Sequence, residues 1–498
     1  MDERVNTVAA RAARTWTTVL LAACAAGLLL AGPAAARLAP SAVTTAREAP
    51  RARAAAVTLL ATELLGRPTA SSVSLNVVPA QAADAYVQYG TSAKVMGKKT
   101  SAVSGAANEP LTITVKGLKA NTRYYYRLRY RPAGSGAFLA RPQYSFVTQR
   151  AKGSTFTFEL QGDSHPERVG KQFNADMYRQ TLGMVAADKP DFYLCMGDDF
   201  SVDTLKDVNE QTVTGRYTLQ RPYLSLVGAS APVFLVNGNH EQASQANLDG
   251  TADNVAVWAQ NARNAYFPQP APDGFYTGDE QQVEHIGLLR DYYAWTWGDA
   301  LFVVIDPYWH SPVAVDNAFG GGAKRSDMWQ ITLGDAQYAW LKKTLEGSTA
   351  SFKFVFTHHV LGTGRGGVKV AGLYEWGGKG KDGTDQFAQK RPTWDKPIHQ
   401  LMADTHVSVF FQGHDHLFAH EVLDGVVYQE LPSPADPNYA DDNAASYTGD
   451  VLPSSGRVRV TVSATKAHVE YVRTWLPADA TSAHPNGEVA FEYDVPAK

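Results

Sequence analysis

The sequence predicts a layered α/β domain that is preceded by an all-β sandwich. From Val57 to about Gln149, apolar and polar residues alternate with a period of two, which is typical of half-buried strands. After Lys152, short apolar runs that indicate buried strands alternate with amphipathic stretches that indicate helices. With 498 residues, the chain is also long enough for two or more domains.

The composition describes a folded protein without a nucleic-acid-binding arm. Hydrophobic residues make up 44% of the chain and charged residues 19%, which excludes an intrinsically disordered class. The formal net charge is −3, and no long block of lysine and arginine occurs. We therefore expect neither a nucleic-acid partner nor a polybasic membrane patch.

The first 36 residues have the features of a secretory signal peptide. The start of the chain is basic, with Arg4, Arg11 and Arg14. An apolar stretch, Val19–Leu30, follows, and the small residues Ala34–Ala36 after it suit cleavage by a signal peptidase. The apolar stretch is too short and too rich in alanine to favour a permanent membrane span. We expect a secreted or periplasmic protein, whose mature chain begins with a flexible linker over residues 37–56.

The two cysteines bear on lipidation, on disulfide bonding and on a covalent cysteine mechanism. Cys24 ends a segment that resembles a lipoprotein box, but the apolar run continues through Leu30, which favours ordinary secretion over lipidation. Cleavage after Ala36 leaves Cys195 as the only thiol, so no intramolecular disulfide is expected. Cys195 lies inside an apolar strand and is expected to be a core residue. The chain also lacks a Gly-x-Ser-x-Gly elbow.

Residues 57–149 form the predicted sandwich. The alternating apolar positions fall in three clear strands: Val73, Leu75 and Val77; Leu111, Ile113 and Val115; Tyr124, Tyr126, Leu128 and Tyr130. The run from Leu118 to Tyr124 resembles the Leu…Thr-x-Tyr corner of fibronectin type III domains. We expect a structural module that positions or shields the domain that follows.

Residues 153–498 form the predicted α/β domain, which ends in β-hairpins. Its predicted strands are 156–161, 192–196, 233–236, 301–305, 352–357, 407–411, 426–430, 457–463, 468–473 and 488–493, and its predicted helices are 174–188, 216–227, 335–345 and 397–403. Three long insertions, 242–300, 307–333 and 361–397, interrupt this order and are expected to be lids or binding loops. Their aromatic residues have two open interpretations, loop cores or substrate walls: Trp258, Tyr292, Tyr293, Trp295, Tyr308, Trp309, Tyr374 and Trp376.

Five predicted strand ends carry residues that bind metals. They are Gln161–His165, Gly197–Asp198, Asn237–Glu241, Val355–His359 and Gly413–His416. Ligand sites in open α/β folds lie at the carboxyl ends of the strands, so these segments are expected to meet. Two divalent ions about 3.5–4 Å apart share a ligand, and a carboxylate has two oxygens for this purpose. Imidazole, carboxylate and amide donors suit Mn, Fe and Zn.

The order Asp-x-His, Gly-Asp, Gly-Asn-His-Glu, His and Gly-His-x-His is similar to the signature of the calcineurin-like metallophosphoesterase superfamily. The resemblance covers roughly Phe156–His416. It implies a four-layer β-sandwich flanked by helices, and a fibronectin-like domain in front of it is similar to the arrangement in purple acid phosphatases.

The resemblance also implies roles for individual residues. One metal ion would be bound by Asp163, His165 and His416, the other by Asn239, His358 and His414, and Asp198 would bridge them. His240 would lie near the phosphate as a catalytic residue, with Glu241 orienting it. Purple acid phosphatases have Tyr where this chain has Ser201 and Gly where it has His165, so we expect a colourless enzyme with two divalent ions (Mn, Fe or Zn).

Several further residues are candidates for contacts with the substrate. The Val-x-x-His spacing selects His358 as the ligand and leaves His359 as a substrate contact that strand alternation points away from the metal. Asn239 and Arg365 are candidate phosphate contacts, although a solvated arginine is the plainer interpretation of Arg365. Three residues that lie just after strand ends are weaker candidates: His310, Tyr308 and Arg168. Asp199 is expected to support the turn.

Together these observations predict a secreted dinuclear phosphoesterase in which a metal-bound hydroxide attacks a small phosphate ester. Phosphomonoester hydrolysis is favoured. The alternatives are a phosphodiesterase or a nuclease with the same site, or a secreted binding protein without catalytic activity. The sequence leaves the oligomeric state open.

Overall fold

The computed structural model describes residues 57–315, 328–360 and 365–498. The predicted signal peptide, the predicted linker and Cys24 lie outside these residues. Within them, no helix combines the length and the apolar content that crossing a membrane requires.

The N-terminal part consists of two antiparallel sheets. Its strands are β1 (Leu59–Gly66), β2 (Ser72–Pro79), β3 (Ala83–Gly90), β4 (Lys98–Lys99), β5 (Val103–Gly105), β6 (Leu111–Lys116), β7 (Arg123–Pro132), β8 (Leu139–Ala140) and β9 (Tyr144–Val147). One sheet has the order β1-β2-β6, and the other has the order β4-β3-β7-β8, with β5 paired to β3 and β9 to β7. The all-β sandwich that the sequence predicts is therefore confirmed.

The predicted alternation accounts for the core of this sandwich. Leu111, Ile113 and Val115 are buried, while Thr112 and Thr114 between them are exposed. At the predicted corner, the hydroxyl of Tyr124 accepts a hydrogen bond of 2.9 Å from the backbone N–H of Lys119.

The remainder of the chain contains the other strands and all the α-helices of the described residues. The strands are β10 (Phe156–Gln161), β11 (Phe192–Cys195), β12 (Val233–Leu235), β13 (Thr277–Gly278), β14 (Gln282–Val283), β15 (Gly287–Leu288), β16 (Tyr293–Trp297), β17 (Ala300–Val304), β18 (Phe352–Phe356), β19 (Val409–Gln412), β20 (Phe418–Leu423), β21 (Val426–Glu430), β22 (Asp450–Leu452), β23 (Gly456–Val462), β24 (Lys466–Arg473) and β25 (Val489–Pro496). The helices are α1 (Ala175–Asp188), α2 (Glu210–Leu219), α3 (Arg221–Gly228), α4 (Val255–Tyr266), α5 (Gly334–Glu346), α6 (Tyr374–Gly377), α7 (Phe387–Lys390) and α8 (Ile398–Asp404).

Two large mixed sheets pack face to face in this part of the chain. The first has the order β12-β11-β10-β23-β24-β25, and the second has the order β13-β16-β17-β18-β19-β21-β20-β22. Apolar side chains from both sheets form one shared core. Helices α1 to α4 pack on the outer face of the first sheet and α5 to α8 on that of the second. The four-layer α/β architecture is confirmed.

The structure differs from the predicted elements in several places, among them the predicted helical stretch 216–227 and the first insertion. The predicted helical stretch 216–227 consists of two helices, α2 and α3, because Pro222 in the first turn of α3 favours a new helix start over continuation of α2. The first insertion contains helix α4 and strand β16 and is not an irregular loop. The aromatic residues of β16, Tyr293, Trp295 and Trp297, belong to the shared core and not to a substrate wall.

Helix α3 holds the sandwich against the α/β part. The buried Arg221 donates to the Asn76 side chain at 2.9 Å and to the Asn76 carbonyl at 3.2 Å. Tyr126 of the sandwich donates to the carbonyl of Ala229 at 2.7 Å. This contact explains why Asn76, a polar position in the alternating pattern of β2, is fully buried.

Candidate metal centre

All five predicted motifs lie at one edge of the two sheets. They follow β10, β11, β12, β18 and β19. Strands β10, β11 and β12 of the first sheet are parallel to one another, and so are β18 and β19 of the second. Because the sheets pack face to face, the carboxyl ends of their strands meet, and the loops of the first sheet reach those of the second.

Close backbone packing explains the glycines in the motifs. A Cβ on Gly197 would lie 2.7 Å from the backbone nitrogen of Gly238, and a Cβ on Gly238 would lie 2.6 Å from Oε2 of Glu241. Four predicted ligands, His165, Asp198, His414 and His416, have φ values of 47°, 48°, 82° and 61°. Non-glycine residues in this left-handed region are strained, and such strain concentrates at functional sites.

The first group of predicted ligands consists of Asp163, His165 and His416, whose candidate ligand atoms lie within 4.8 Å of one another. Asp163 Oδ2 lies 3.0 Å from His416 Nε2 and 4.0 Å from His165 Nε2. The second carboxylate oxygen of Asp163 accepts a hydrogen bond of 2.8 Å from the backbone N–H of His414. One oxygen therefore braces the loop and the other faces the histidines.

The second group consists of Asp198, His358 and His414. Asp198 Oδ2 lies 3.0 Å from His358 Nε2 and 4.0 Å from His414 Nδ1. Asp198 also belongs to a linking group with His165 and His240. The carboxylate that the sequence predicts as the bridge thus lies between the two groups.

Asn239 supplies the amide of the predicted ligand set. Its side chain is only 3% exposed. Within the described residues, neither of its two amide atoms has a hydrogen-bond partner, and the same holds for Nε2 of His165. Buried polar atoms are almost always satisfied, so these atoms fit a site that is completed by a bound metal.

Opposite charges face one another in the centre. Burial raises the pKa of Asp198, but His358 and His240 outweigh it and hold the pKa of this carboxyl well below its usual range. Burial lowers the pKa of His358, yet the carboxylates of Asp198 and Asp163 raise it to about 10. The two carboxylates thus favour positive charge at this point, which divalent cations also supply. Oxygen and imidazole donors of this kind fit Mn, Fe and Zn.

Two hydrogen bonds orient the imidazoles. Nδ1 of His165 donates to Oε1 of Glu167 at 3.1 Å, and Nδ1 of His358 donates to the carbonyl of Met196 at 2.8 Å. Both contacts leave Nε2 as the atom that faces the centre. Burial lowers the pKa of His165 to about 4, so its ring is neutral as a ligand requires. Sequence reasoning missed Glu167, whose only signal is its position two residues after His165.

His240 is oriented by a residue that the sequence analysis did not identify. Its Nδ1 donates to Oδ1 of Asp203 at 2.7 Å, and its Nε2 lies 3.8 Å from Oδ2 of Asp198. Burial lowers the pKa of His240, but Asp198 and Asp203 raise it above its usual value. The prediction that Glu241 orients His240 is wrong. Glu241 accepts from the backbone N–H groups of Asp199 and Gly238 at 2.8 and 2.9 Å and braces both loops.

Arg168 lies beside His240. Its guanidinium donates to the hydroxyl of Ser201 at 2.8 Å and lies 3.1 Å from His240 Nε2. Gln172 accepts from the same guanidinium at 2.6 Å and fixes its direction. The structure therefore brings Arg168, one of the weaker candidates, into the centre.

The other candidates have different surroundings. Arg365 donates to Oδ1 of Asp415 at 2.6 Å and to the carbonyl of His414 at 2.9 Å, so it is not simply solvated. The ring of His359 packs 4.6 Å from that of His414. Strand β18 ends before His359, so the predicted alternation does not point it away from the centre. Phosphate contacts by Asn239, Arg365 and His359 stay predictions.

Asp199, Tyr308 and His310 complete the list of predicted candidates. Asp199 accepts from the side chain of Gln220 at 2.7 Å, and its backbone is held by Glu241, as expected of a residue that supports the turn. Tyr308 lines a small pocket next to Asn239. His310 instead pairs with Asp291 at 3.0 Å, in a separate cluster.

Comparisons with known proteins support the same fold and family. The family model described as calcineurin-like phosphoesterase matches residues 158–418, more than half of the chain. A solved structure of PhoD superposes with a TM-score of 0.60 at 16% identity, covering 88% of this chain and 92% of that chain.

The structure of purple acid phosphatase PPD1 from yellow lupin (Lupinus luteus) seeds gives a TM-score of 0.55 at 14% identity and covers 87% of this chain and 74% of that chain. No curated protein has significant sequence similarity to this chain. The predicted relationship is confirmed by the extent of the family match and by the shared architecture. The chain belongs to the calcineurin-like phosphoesterase family.

Proposed function

We propose that the chain is a secreted phosphomonoesterase that uses two divalent metal ions. The observation that carries this proposal is the position of Asp198, which lies in the ligand group of His358 and His414 and also in the group that links it to His165. One ion would be bound by the first group together with Asp198, and the other by the second group with Asp198 and Asn239. When bound, such a pair activates a water molecule as the nucleophile and neutralises the phosphate oxygens.

Ser201 and His165 favour two divalent ions over a purple, ferric centre. Ser201 has its hydroxyl 3.3 Å from Nδ1 of His165, at the position where purple acid phosphatases have a tyrosine. A neutral imidazole therefore takes the place of an anionic phenolate. Manganese, iron(II) and zinc are the ions that this donor set suits.

His240 is the proposed proton donor to the leaving alcohol. Asp203 holds its Nδ1–H, so Nε2 is the atom that exchanges the proton, and this atom faces Asp198. A positioned imidazole of this kind contributes about 10²–10⁴-fold to the rate. The reaction depends on this proton donor most for esters whose alcohol is a poor leaving group.

Arg168 is the proposed contact with a phosphate oxygen. Its guanidinium already lies within hydrogen-bond distance of His240, and a guanidinium pairs well with two oxygens of a phosphate. Ser201 and Gln172 hold it in this direction.

The substrate class and the compartment rest on separate observations. The yellow lupin structure with the same fold is named a phosphatase, and the sequence has no long block of lysine and arginine that would indicate a nucleic-acid-binding groove. These observations support small phosphate monoesters. The basic, apolar and small-residue segments at the start of the chain support secretion.

The experiment that tests the proposal measures the hydrolysis of a nitrophenyl phosphate monoester and of the matching bis-ester. The protein is stripped with a chelator and reloaded separately with manganese, zinc and iron(II), and an Asp198→Asn variant serves as the matched control. We expect the wild-type protein to cleave the monoester in a metal-dependent reaction and the Asp198→Asn variant not to cleave it. A preference for the bis-ester would identify a phosphodiesterase. Folded protein that is silent with every metal would refute the enzyme and favour a binding protein.

A further inference from the structure

A second cluster of metal-ligand residues lies outside the centre described above. Asp279, Asp291 and His310 each offer a ligand atom, and these atoms lie within 4.8 Å of one another. Asp279 directly follows β13, Asp291 precedes β16, and His310 lies in the loop after β17. None of the three has a role in the proposed function.

Each of the two carboxylates is buried and, among the described residues, has one oxygen without a hydrogen-bond partner. Asp279 is 3% exposed and Asp291 is 1% exposed. Within the part of the chain that the structure describes, Oδ2 of Asp279 and Oδ1 of Asp291 accept no hydrogen bond, and neither residue forms an ion pair with lysine or arginine. Burying such oxygens is costly unless a cation or a donor pairs with them. These two unpartnered oxygens fit a site that binds a cation.

The geometry repeats that of the predicted metal ligands. His310 Nε2 lies 3.0 Å from Asp291 Oδ2. The same distance separates His358 Nε2 from Asp198 Oδ2 and His416 Nε2 from Asp163 Oδ2. Bond lengths of about 2.0–2.2 Å in a tetrahedral zinc site place neighbouring ligand atoms about 3.3–3.6 Å apart. The separation of His310 Nε2 and Asp291 Oδ2 is therefore close to that of two ligands of one ion, and the third ligand atom lies within 4.8 Å of both.

The local fold holds the ligands together. Gly278 has a φ of 156°, and its backbone lies so close to Tyr292 that a side chain would clash. The backbone N–H of Asp279 donates to the carbonyl of Tyr292 at 3.1 Å, which fixes Asp279 beside Asp291. Asp279 and Tyr292 also line an open groove of about 1460 Å³, so one member of the cluster borders this groove.

We propose that Asp279, Asp291 and His310 bind one further divalent transition-metal ion, with zinc as the best match. Two carboxylates and one imidazole are a zinc-type donor set, whereas calcium takes six to eight oxygen ligands. The ion ties the segment before β16 to the loop after β17. This site is independent of the proposed function.

The test is the metal content of the full chain after stripping with a chelator and equilibration with zinc. We compare the wild-type protein with Asp279→Asn, Asp291→Asn and, as a control, Glu280→Gln, which removes the neighbouring exposed carboxylate. Each cluster variant is expected to bind one zinc fewer than the wild type, and Glu280→Gln the same number. Asp198→Asn is expected to lose zinc from the other centre and to keep the ion at this cluster.

Crystals of the zinc-loaded wild type give a second readout that no variant can compromise. An anomalous peak at the zinc edge between Asp279, Asp291 and His310 would support the proposal. The lack of such a peak, together with equal zinc content in the wild type and both cluster variants, would overturn it. Zinc that remains in Asp198→Asn but disappears in Asp279→Asn would support this site even if the phosphatase assay failed, so the two proposals fail separately.

Discussion

Replacing Asp203 with asparagine tests whether His240 donates a proton to the leaving group. Oδ1 of Asp203 accepts from Nδ1 of His240 at 2.7 Å, the length of a charge-assisted hydrogen bond. Hydrogen bonds to charged groups contribute about 1.5–3 kcal/mol. Since about 1.36 kcal/mol corresponds to a tenfold change in rate, losing the charge is expected to lower kcat about 10- to 150-fold.

The loss is expected to depend on the leaving group. Phenyl phosphate needs a proton donor more than nitrophenyl phosphate does, so Asp203→Asn should lower kcat for phenyl phosphate by much more. Metal content should stay at the wild-type value, because Asp203 belongs to neither ligand group. Asp207→Asn, an exposed carboxylate in the same loop, is the matched control and should leave both rates unchanged.

A double-mutant cycle with His240→Ala isolates the pair. If Asp203 acts only through His240, then Asp203→Asn has no further effect once His240 is alanine. Equal losses for both substrates, loss of metal in Asp203→Asn, or additive effects in the double variant would each refute the assignment.

Three other substitutions, together with one glycine control, test the metal centre and the fold. Asp198→Ala should lose bound metal and essentially all activity, as measured by metal analysis and nitrophenyl phosphate hydrolysis; a retained pair of ions would contradict its bridging role. Gly238→Ala should destabilise the protein by about 1–3 kcal/mol and weaken metal binding, because the new Cβ would lie 2.6 Å from Glu241. Gly215→Ala in helix α2 meets no neighbour and should instead stabilise by about 0.5–1 kcal/mol in the same denaturation assay. Arg221→Met should cost about 1–3 kcal/mol by leaving buried carbonyls of the sandwich without a donor, and an unchanged Tm would contradict this.

The sequence alone determined the two-part architecture and the motifs that carry the candidate ligands. The alternation around Leu111–Val115 predicts a half-buried strand because neighbouring side chains of a strand point to opposite faces. The five strand-end motifs are also predictable, because each is a short apolar run followed by a turn. Such patterns depend only on residues that are close in the chain.

Only the tertiary structure decided which residues support the ligands. Asp203 and Arg168 contact His240 across loops from different strands, and no spacing in the sequence indicates these pairs. Glu241 follows His240 directly, yet it turns to the backbone of Asp199 because the two loops cross at Gly238.

The same reason applies to the second cluster and to the buried polar positions of the sandwich. Asp279, Asp291 and His310 come from three segments that meet only when β13, β16 and β17 pair at the edge of their sheet. Asn76 is buried because helix α3, which packs on the first sheet of the α/β part, places Arg221 against it. Periodicity records which face of an element is apolar, whereas the packing of the sheets and helices decides which polar groups meet.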